Sequence, residues 1–246
     1  MSPLALGLAL LVGLSLGLLG GGGSILTLPI LLYVVGLPAK EAIATSLLVV
    51  AGASLVAMIA HARSGRVSLK VAATFGVASM VASYVAGRLA HYLPGPWLLA
   101  GFTTVMILTG LAMLRCGAPE REPGTPSTTK ALLAGAGVGS VTGLVGAGGG
   151  FLIVPALTMF AGLDMRRAVG TSLLIITLNS LAGFAGYVGH VQLDMHTALF
   201  VTAAAAVGSV LGSVLSCRVK PAHLRRAFAT FVTLMGVVMA ARQGVR

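Results

Sequence analysis

Two glycine clusters are the part of this sequence whose residue types point most directly to chemistry. Residues 20–23 are four glycines followed by a serine, and residues 146–150 contain four glycines and one alanine. A helix that begins at such a cluster presents free backbone N–H groups and about half a positive charge. We therefore predict two cradles for an anion, although the glycines alternatively serve only to let helices pack closely. The predicted cradle residues are Gly21, Gly22, Gly23 and Ser24 in the first cluster and Gly148, Gly149 and Gly150 in the second.

A second shared element is the tetrapeptide Thr-Ser-Leu-Leu, which occurs at residues 45–48 and again at residues 171–174. Hydroxyl groups donate hydrogen bonds to an anion without the desolvation cost of a buried charge. In helices they also bond to their own backbone, which is the alternative here. The predicted substrate-binding hydroxyls are those of Thr45, Ser46, Thr171 and Ser172. Asn179 is a further candidate for substrate contact from one half alone, because its counterpart is Ala53.

The two glycine clusters belong to two copies of one pattern. Residues 17–48 align without a gap on residues 143–174, at a constant offset of 126. Gly22 falls on Gly148 and Pro29 on Pro155, and the Thr-Ser-Leu-Leu blocks coincide. A period of half the chain length indicates an internal duplication, which many transporters share. We predict a first transmembrane repeat at residues 1–115, a linker at 116–129 and a second transmembrane repeat at 130–246.

The elements that position these residues are predicted to be membrane helices. Only 9% of the residues are charged, 57% are hydrophobic, and the mean hydropathy is +1.02. Lipid must therefore solvate much of the chain. Apolar runs predict segments at 4–19, 24–36, 42–61, 69–90 and 97–115, and at 130–145, 150–163, 167–187, 195–217 and 223–241. The segments 24–36 and 150–163 are shorter than the roughly 20 residues of a spanning helix. Short segments at matching places in two halves indicate a transport site.

The basic residues indicate how the repeats lie in the membrane. If every segment crosses, or if the first two of each half form a re-entrant hairpin, one side collects 12 of the 16 lysines and arginines. If each glycine-interrupted pair is one broken crossing, the two sides carry equal numbers. Cytoplasmic loops are rich in these residues, which favours the first arrangement. It predicts an all-α polytopic membrane protein of two inverted five-segment repeats, with glycine-broken or re-entrant helices and both termini outside the cytoplasm.

Several other functional classes are not expected. The net charge of +11 follows from membrane topology, so nucleic acid binding is not predicted. The chain lacks a GxxxxGK[ST] phosphate loop, an HExxH zinc motif and the GxSG of a rhomboid-like protease. We expect no enzyme activity, no catalytic residue, no metal and no cofactor. Arg88 is expected to anchor the fourth segment. His61, His190 and His196 are expected at the membrane interface, with a role in proton relay as the alternative.

The paired blocks resemble those of the sulfite exporter TauE/SafE family of bacterial membrane permeases. The similarity lies in GGGGSILTLPILLYVVGLPAKEAIATSLLVV, in its copy GAGGGFLIVPALTMFAGLDMRRAVGTSLLIITLNSLAGFAGY and in the later GHVQLD. It covers essentially the whole chain. The resemblance implies transport of small sulfur-containing or organic anions, such as sulfite, sulfoacetate or related sulfonates, usually by export across the inner membrane. The family's glycine-rich blocks fall on residues 20–24 and 146–150, and its Thr-Ser pairs on 45–46 and 171–172.

These observations lead to one hypothesis and two alternatives. The hypothesis is a secondary transporter that binds a small anion near the membrane midplane, between the glycine clusters, while its halves rock to alternate access. The alternatives are an anion channel in which the same breaks line a pore, and a membrane partner or sensor that transports nothing. The expected partners are the lipid bilayer and a small anion such as sulfite or a sulfonate, whereas the oligomeric state is not predicted.

Overall fold

The structure is a computed structural model that describes residues 3–115, 128–145, 149–191, 194–216 and 221–244. These residues form ten α-helices and a 3-10 turn at Ala90–Tyr92, without a strand. The first half contains α1 (Pro3–Leu19), α2 (Gly22–Tyr33), α3 (Ala39–Arg63), α4 (Leu69–Leu89) and α5 (Gly95–Arg115). The second half contains α6 (Thr128–Val145), α7 (Gly150–Phe160), α8 (Met165–Tyr187), α9 (Met195–Ser216) and α10 (Pro221–Gly244). Gly148 and residues 116–127 of the predicted linker lie outside the described residues.

The helices follow the predicted segments, and the two short ones are short. Five helices in the described part of the chain are long and apolar enough to cross a membrane. By contrast, α2 has 12 residues and α7 has 11, about 18 and 17 Å at ~1.5 Å per residue. The hydrocarbon core is about 30 Å thick. Helix α2 begins two residues earlier than its predicted segment, because the Ser24 hydroxyl closes the first turn on the Gly21 carbonyl at 2.7 Å.

The chain turns back on itself between α1 and α2. Gly20 has a φ of +74°, a left-handed conformation that glycine adopts without strain. A methyl group at Gly23 would collide with the backbone of Val12 and lie 2.5 Å from Leu16, so the start of α2 lies against the last turns of α1. The two helices therefore form a hairpin, and they do not continue along one line as a broken crossing would.

In two tightly packed helix pairs, a helix of one half packs against a helix of the other half. We call the pair α1 and α9 the first seam, and the pair α4 and α6 the second seam. Glycines on α1 and α6 meet backbone carbonyls so closely that a methyl group would collide with them: Gly13 with Ala205, Gly17 with Ser209, Gly139 with Ser79 and Gly143 with Ser83. Residue numbers rise together in each seam, so the paired helices are parallel. The two glycine contacts of α1 thus recur on α6 at the offset of 126.

Helices α3 and α8 form the centre of the bundle and run in opposite directions. In each, 67% of the most apolar stretch is buried within the protein. Leu47, near the start of α3, lies against Gly183, near the end of α8. Arg66, just after α3, lies against Gly170, near the start of α8. Since α3 and α8 occupy equivalent places in the two halves, their opposite courses bear directly on how the halves are related.

Candidate functional site

The glycine clusters bring the starts of α2 and α7 into contact. A methyl group at Gly21 would collide with the carbonyl group of Gly150, and one at Gly150 would collide with the Cα atom of Gly21. The two backbones thus touch at a point that admits no side chain. Gly150 also lies against Ile176, which is midway along α8. The two helix starts therefore meet near the middle of the bundle.

The turn before α2 reaches the Thr-Ser-Leu-Leu block of the opposite half. A methyl group at Gly20 would lie 3.0 Å from the Oγ atom of Ser172 and 3.0 Å from Val169. The structure therefore brings one predicted hydroxyl next to one predicted glycine cluster. The reciprocal contact would involve Gly146, which lies outside the described residues, as does the predicted site residue Gly148.

The start of α7 is supported by the helix that precedes it. Gly149 has a φ of +63°, and a methyl group there would collide with the hydroxyl of Thr142 on α6. Gly149 is thus constrained twice, by its backbone conformation and by its neighbour. Its carbonyl accepts hydrogen bonds from the N–H groups of Leu152 and Ile153, both at 2.9 Å.

The serine hydroxyls of the candidate site bond to their own helices. The bonds run from Ser24 to Gly21 at 2.7 Å, from Ser46 to Ile43 at 2.8 Å and from Ser172 to Val169 at 2.8 Å. All three serines are buried. This is the back-bonding that the sequence left open as an alternative. In this conformation the three hydroxyl hydrogens point to carbonyls, so donation to an anion requires the hydroxyls to rotate.

The predicted threonines are also buried. The Oγ1 atom of Thr171 accepts a hydrogen bond from the backbone N–H of Ser68 at 2.9 Å. Ser68 directly precedes α4, so this bond links the loop between α3 and α4 to the first turns of α8. Thr45, at the equivalent place on α3, is 2% exposed. Thr171 therefore has a structural partner in this conformation.

Asn179 lies on α8 and faces α4. Its Nδ2 atom donates to the hydroxyl of Ser79 at 2.5 Å, and Ser83 donates to its backbone carbonyl at 2.9 Å. Among the described residues, its Oδ1 atom and the hydroxyl of Ser180 are buried without a hydrogen-bond partner. Sequence reasoning did not single out these three serines. A usable signal was present, because Ser83 and Ser180 recur as serines at the offset of 126.

Of the titratable residues singled out in the sequence, three are exposed and one, His61, is buried. Arg88 is exposed, and its guanidinium donates to the hydroxyl of Tyr84 at 3.3 Å. His190 and His196 are exposed near helix ends. His61, by contrast, is only 3% exposed, and its Nε2 atom lies 3.4 Å from the carbonyl of Gly17. His61 is thus buried because α1 packs over the end of α3, and its position at the membrane interface stays a prediction.

A groove on the surface of the bundle is apolar. A groove between α4 and α8 is lined by apolar residues that include Leu69, Met80 and Leu178. Within the described residues, no three histidine, cysteine, aspartate or glutamate side chains are grouped to hold a metal ion. Side-chain hydrogen bonds between the two halves lie around α8, and the glycine contact joins the halves at the starts of α2 and α7.

The family profile described as sulfite exporter TauE/SafE matches residues 5–239 of the chain. The chain belongs to this family. A probable membrane transporter protein of Xylella fastidiosa (strain 9a5c) is 34% identical to this TauE/SafE protein over 239 residues, which cover 92% of this chain and 90% of the relative. A probable membrane transporter protein of Methanocaldococcus jannaschii is 30% identical over 258 aligned positions, covering 96% of each chain. One of Bacillus subtilis (strain 168) is 25% identical over 235 positions, covering 93% and 96%.

The comparisons confirm the resemblance and the membrane class. Relatives that span nearly the whole TauE/SafE chain are named probable membrane transporters, and five described helices are suited to crossing a bilayer. The chain is therefore a multi-pass protein of a membrane transporter family. No solved structure matches it significantly.

Proposed function

We propose that this TauE/SafE protein is a secondary transporter that exports a small oxyanion, such as sulfite or a sulfonate, across the bacterial inner membrane. The observation that carries the proposal is the contact between the starts of α2 and α7 at Gly21 and Gly150. Helix N-termini carry partial positive charge and N–H groups without intrahelical partners. Two of them meeting at one place, one from each half, favour an anion as the ligand.

The glycine contact acts as a closed gate in this proposal. Gly21 and Gly150 touch so closely that no ion fits between their backbones. The anion binds when the hairpin of α1 and α2 separates from α7, and the contact re-forms once the site is empty. The proposed binding residues remain Gly21, Gly22, Gly23, Ser24, Thr45, Ser46, Gly148, Gly149, Gly150, Thr171, Ser172 and Asn179.

Inverted repeats at residues 1–115 and 130–246 give this gate two equivalent conformations, one open to each side of the membrane. The opposite directions of α3 and α8 support the inversion. The exchange of partners between the two seams supports it as well, because α1 packs on a helix of the second half and α6 on a helix of the first. Each half therefore holds the hairpin helix of the other.

Charge at the two ends of the bundle supports a cytoplasmic side and two extracytoplasmic termini. Arg66 packs against the start of α8, where Arg166 and Arg167 are exposed. At the opposite end Lys40 donates to the carbonyl of His91 at 2.7 Å. The end with three arginines is the cytoplasmic one by the positive-inside rule, and the N-terminus of α1 then lies on the other side.

The proposal is tested by sulfite flux in proteoliposomes that contain the full-length protein. We expect saturable efflux that external sulfite accelerates by counterflow. Gly21→Ala and Gly150→Ala should each lower the flux about tenfold or more, since overpacking costs about 1–3 kcal/mol and about 1.4 kcal/mol is tenfold. Gly137→Ala is the matched control, because no atom lies within 4 Å of the added methyl group.

Three results would contradict the proposal. Normal flux in both gate variants would remove the glycine contact from the mechanism. Single-channel conductance steps without saturation would indicate an anion channel. Absence of flux for sulfite, sulfonates and carboxylates, together with no ligand-induced rise in thermal stability, would indicate a partner or sensor.

A further inference from the structure

Two residues at equivalent positions of the repeat, His61 and Tyr187, each contact the helix that precedes a glycine cluster, and we call these contacts ties. At the end of α3, the Nε2 atom of His61 lies 3.4 Å from the carbonyl oxygen of Gly17 on α1. At the end of α8, the hydroxyl of Tyr187 donates to the carbonyl of Leu144 on α6 at 3.1 Å. His61 and Tyr187 are separated by the repeat offset of 126. Each side chain thus holds the last turns of a helix, just before the chain enters a glycine cluster.

The two ties differ in chemistry. A phenol stays neutral around physiological pH, whereas an imidazole ordinarily takes up a proton there. His61 is 3% exposed, and its Nδ1 atom is buried without a hydrogen-bond partner among the described residues. The carbonyl of Gly17 can only accept, so Nε2 carries the hydrogen and the ring in this conformation is a neutral imidazole. A proton added at Nδ1 would create a charged donor that has no acceptor in this conformation.

Among the described residues near His61, the one carboxylate, Asp164, is exposed and paired with an arginine. The described charged groups at this end of α3 and at the starts of α4 and α8 are Arg63, Arg66, Lys70, Asp164, Arg166 and Arg167. Among the described side chains, the other helices packed on α3 add Tyr33 on α2, Tyr187 on α8 and His196 on α9, and α1 adds none. Arg63 and Arg66 follow His61 closely in the chain and add positive charge at this end of α3. Asp164 is exposed and pairs with Arg167 at 3.8 Å.

We propose that His61 is a proton-binding site that releases the first glycine cluster. Proton uptake at Nδ1 disfavours the conformation described here, so α1 leaves the end of α3 and the protonated ring gains a partner in water or in the transported anion. The second tie, at Tyr187, does not respond. Proton binding therefore opens the bundle at one glycine cluster only. The release itself is independent of what is transported, whereas its coupling to anion flux rests on the proposed function.

Backbone hydrogen exchange of the full-length protein tests the release without any substrate. Protection factors are compared at about pH 5.5 and about pH 8, on either side of the ordinary histidine pKa of ~6.5. We expect protection of residues 12–19 to fall by up to about tenfold at the lower pH, because a single group with a pKa of ~6.5 in the released state shifts the opening equilibrium by about tenfold one pH unit below that value. Residues 138–145, the equivalent segment before the second cluster, should stay unchanged.

Variants connect the effect to one side chain. His61→Gln keeps a side-chain N–H donor and removes titration, so protection of residues 12–19 should no longer depend on pH. His61→Tyr copies the tie at Tyr187 and serves if the glutamine variant fails to fold. His196→Gln, at an exposed position, should behave as the wild type. A pH response that is absent from the wild type, or that survives in the His61 variants, would overturn the proposal.

Sulfite flux separates this proposal from the transport function. We expect flux to change with pH in the wild type and not in His61→Gln. If the wild type shows the hydrogen-exchange response but no flux of sulfite, the proton site stands and sulfite transport fails. If flux occurs and neither exchange nor flux responds to His61 titration, transport stands and the proton site fails.

Discussion

The two seams of the bundle share a backbone arrangement and differ in their side chains. In both, glycines of α1 or α6 lie against carbonyls of a helix from the other half. In the second seam, Ser79 of α4 binds the amide of Asn179 on α8. The equivalent residues beside the first seam are Ala205 and Ala53, both fully buried. One seam is thus joined to the central helices by a side-chain hydrogen bond, whereas the other has only apolar contact at that place.

This difference separates what the fold requires from what one half adds. Lipid gives apolar helices no hydrophobic reason to associate, so close backbone approach at small residues must hold them together. That requirement applies to both seams, and glycines at two equivalent positions, Gly13 with Gly139 and Gly17 with Gly143, meet it in both. The Asn179 bond is not part of that requirement, because the first seam packs without an equivalent. We therefore expect the seams to respond alike to glycine substitutions and differently to changes in polar residues.

The largest effect is expected from replacing a seam glycine by alanine, because the contact leaves no room for a methyl group. Gly17→Ala and Gly143→Ala each place a methyl group against a backbone carbonyl of the facing helix. Neither helix can yield without moving, so each variant should lose about 1–3 kcal/mol of stability or more. Unfolding in detergent, followed by circular dichroism, measures the loss. Similar losses in the two variants would support equal backbone packing.

Each seam variant has a control on its own helix. Gly7 on α1 and Gly137 on α6 have no atom within 4 Å of an added methyl group. Gly7→Ala and Gly137→Ala should therefore leave stability unchanged or raise it slightly, because alanine favours helix. A loss in the controls as large as in the seam variants, or a loss confined to one seam, would break the comparison.

A smaller effect is expected from the asymmetric hydrogen bond. Asn179→Ala leaves the hydroxyl of Ser79 without its partner and should cost about 0.6–1.7 kcal/mol, the range of interhelical hydrogen bonds in folded membrane proteins. The double variant with Ser79→Ala recreates the alanine pair of the first seam and should recover most of that stability. Unfolding of the two single variants and the double variant gives the coupling directly.

The same double variant separates packing from transport. As a proposed substrate contact, Asn179 should be needed for sulfite flux even when stability is restored. Reduced flux in a stable double variant is therefore expected. Unchanged flux would make Asn179 a packing residue, and the asymmetry between the seams would then have no role in transport.

Much of the fold could be predicted from the sequence because the signals are local. Apolar runs bounded by charge or glycine mark where helices begin and end, and the ungapped repeat relates the two halves. The short helices α2 and α7 were visible as short apolar runs after glycines. Pairing between helices was not predictable in the same way. Helices apolar on all sides carry no stripe that indicates their partner, so the packing of α1 on α9 emerged only from the structure.

The candidate site was predictable in composition more than in contacts. The starts of α2 and α7 follow the predicted glycine clusters, but nothing in the sequence shows that Gly21 meets Gly150, because that contact depends on how the two halves dock. His61 stands at a segment end, which in a membrane protein indicates the interface. Its burial depends on α1 lying over the end of α3, a long-range contact. Likewise, Asn179 was recognised as asymmetric, whereas its partner Ser79 is 100 residues away.

The smallest effect is expected at the N-termini of α9 and α4, which occupy equivalent places in the two seams but begin with different capping residues. Before α9, Asp194 accepts hydrogen bonds from the Thr197 hydroxyl at 2.5 Å, from the Thr197 N–H at 3.2 Å and from the His196 N–H at 3.0 Å. Ser68 holds the equivalent place before α4, where its side chain makes no cap bond. The bonds from Thr197, that of its hydroxyl foremost, hold the pKa of Asp194 below its ordinary value of 3.8.

The lowered pKa fixes the sign of the pH dependence. A carboxyl group whose pKa is lower in the folded than in the unfolded state adds stability that is complete above the unfolded value and is lost as pH falls through the folded one. The midpoint of thermal unfolding should therefore be slightly higher for the wild type than for Asp194→Asn at neutral pH, and the gap should close below about pH 4. Ser68→Ala should show no such closing gap. A gap at Asp194 that persists in acid would mean that hydrogen-bond geometry, which asparagine partly keeps, matters more than charge at this helix start.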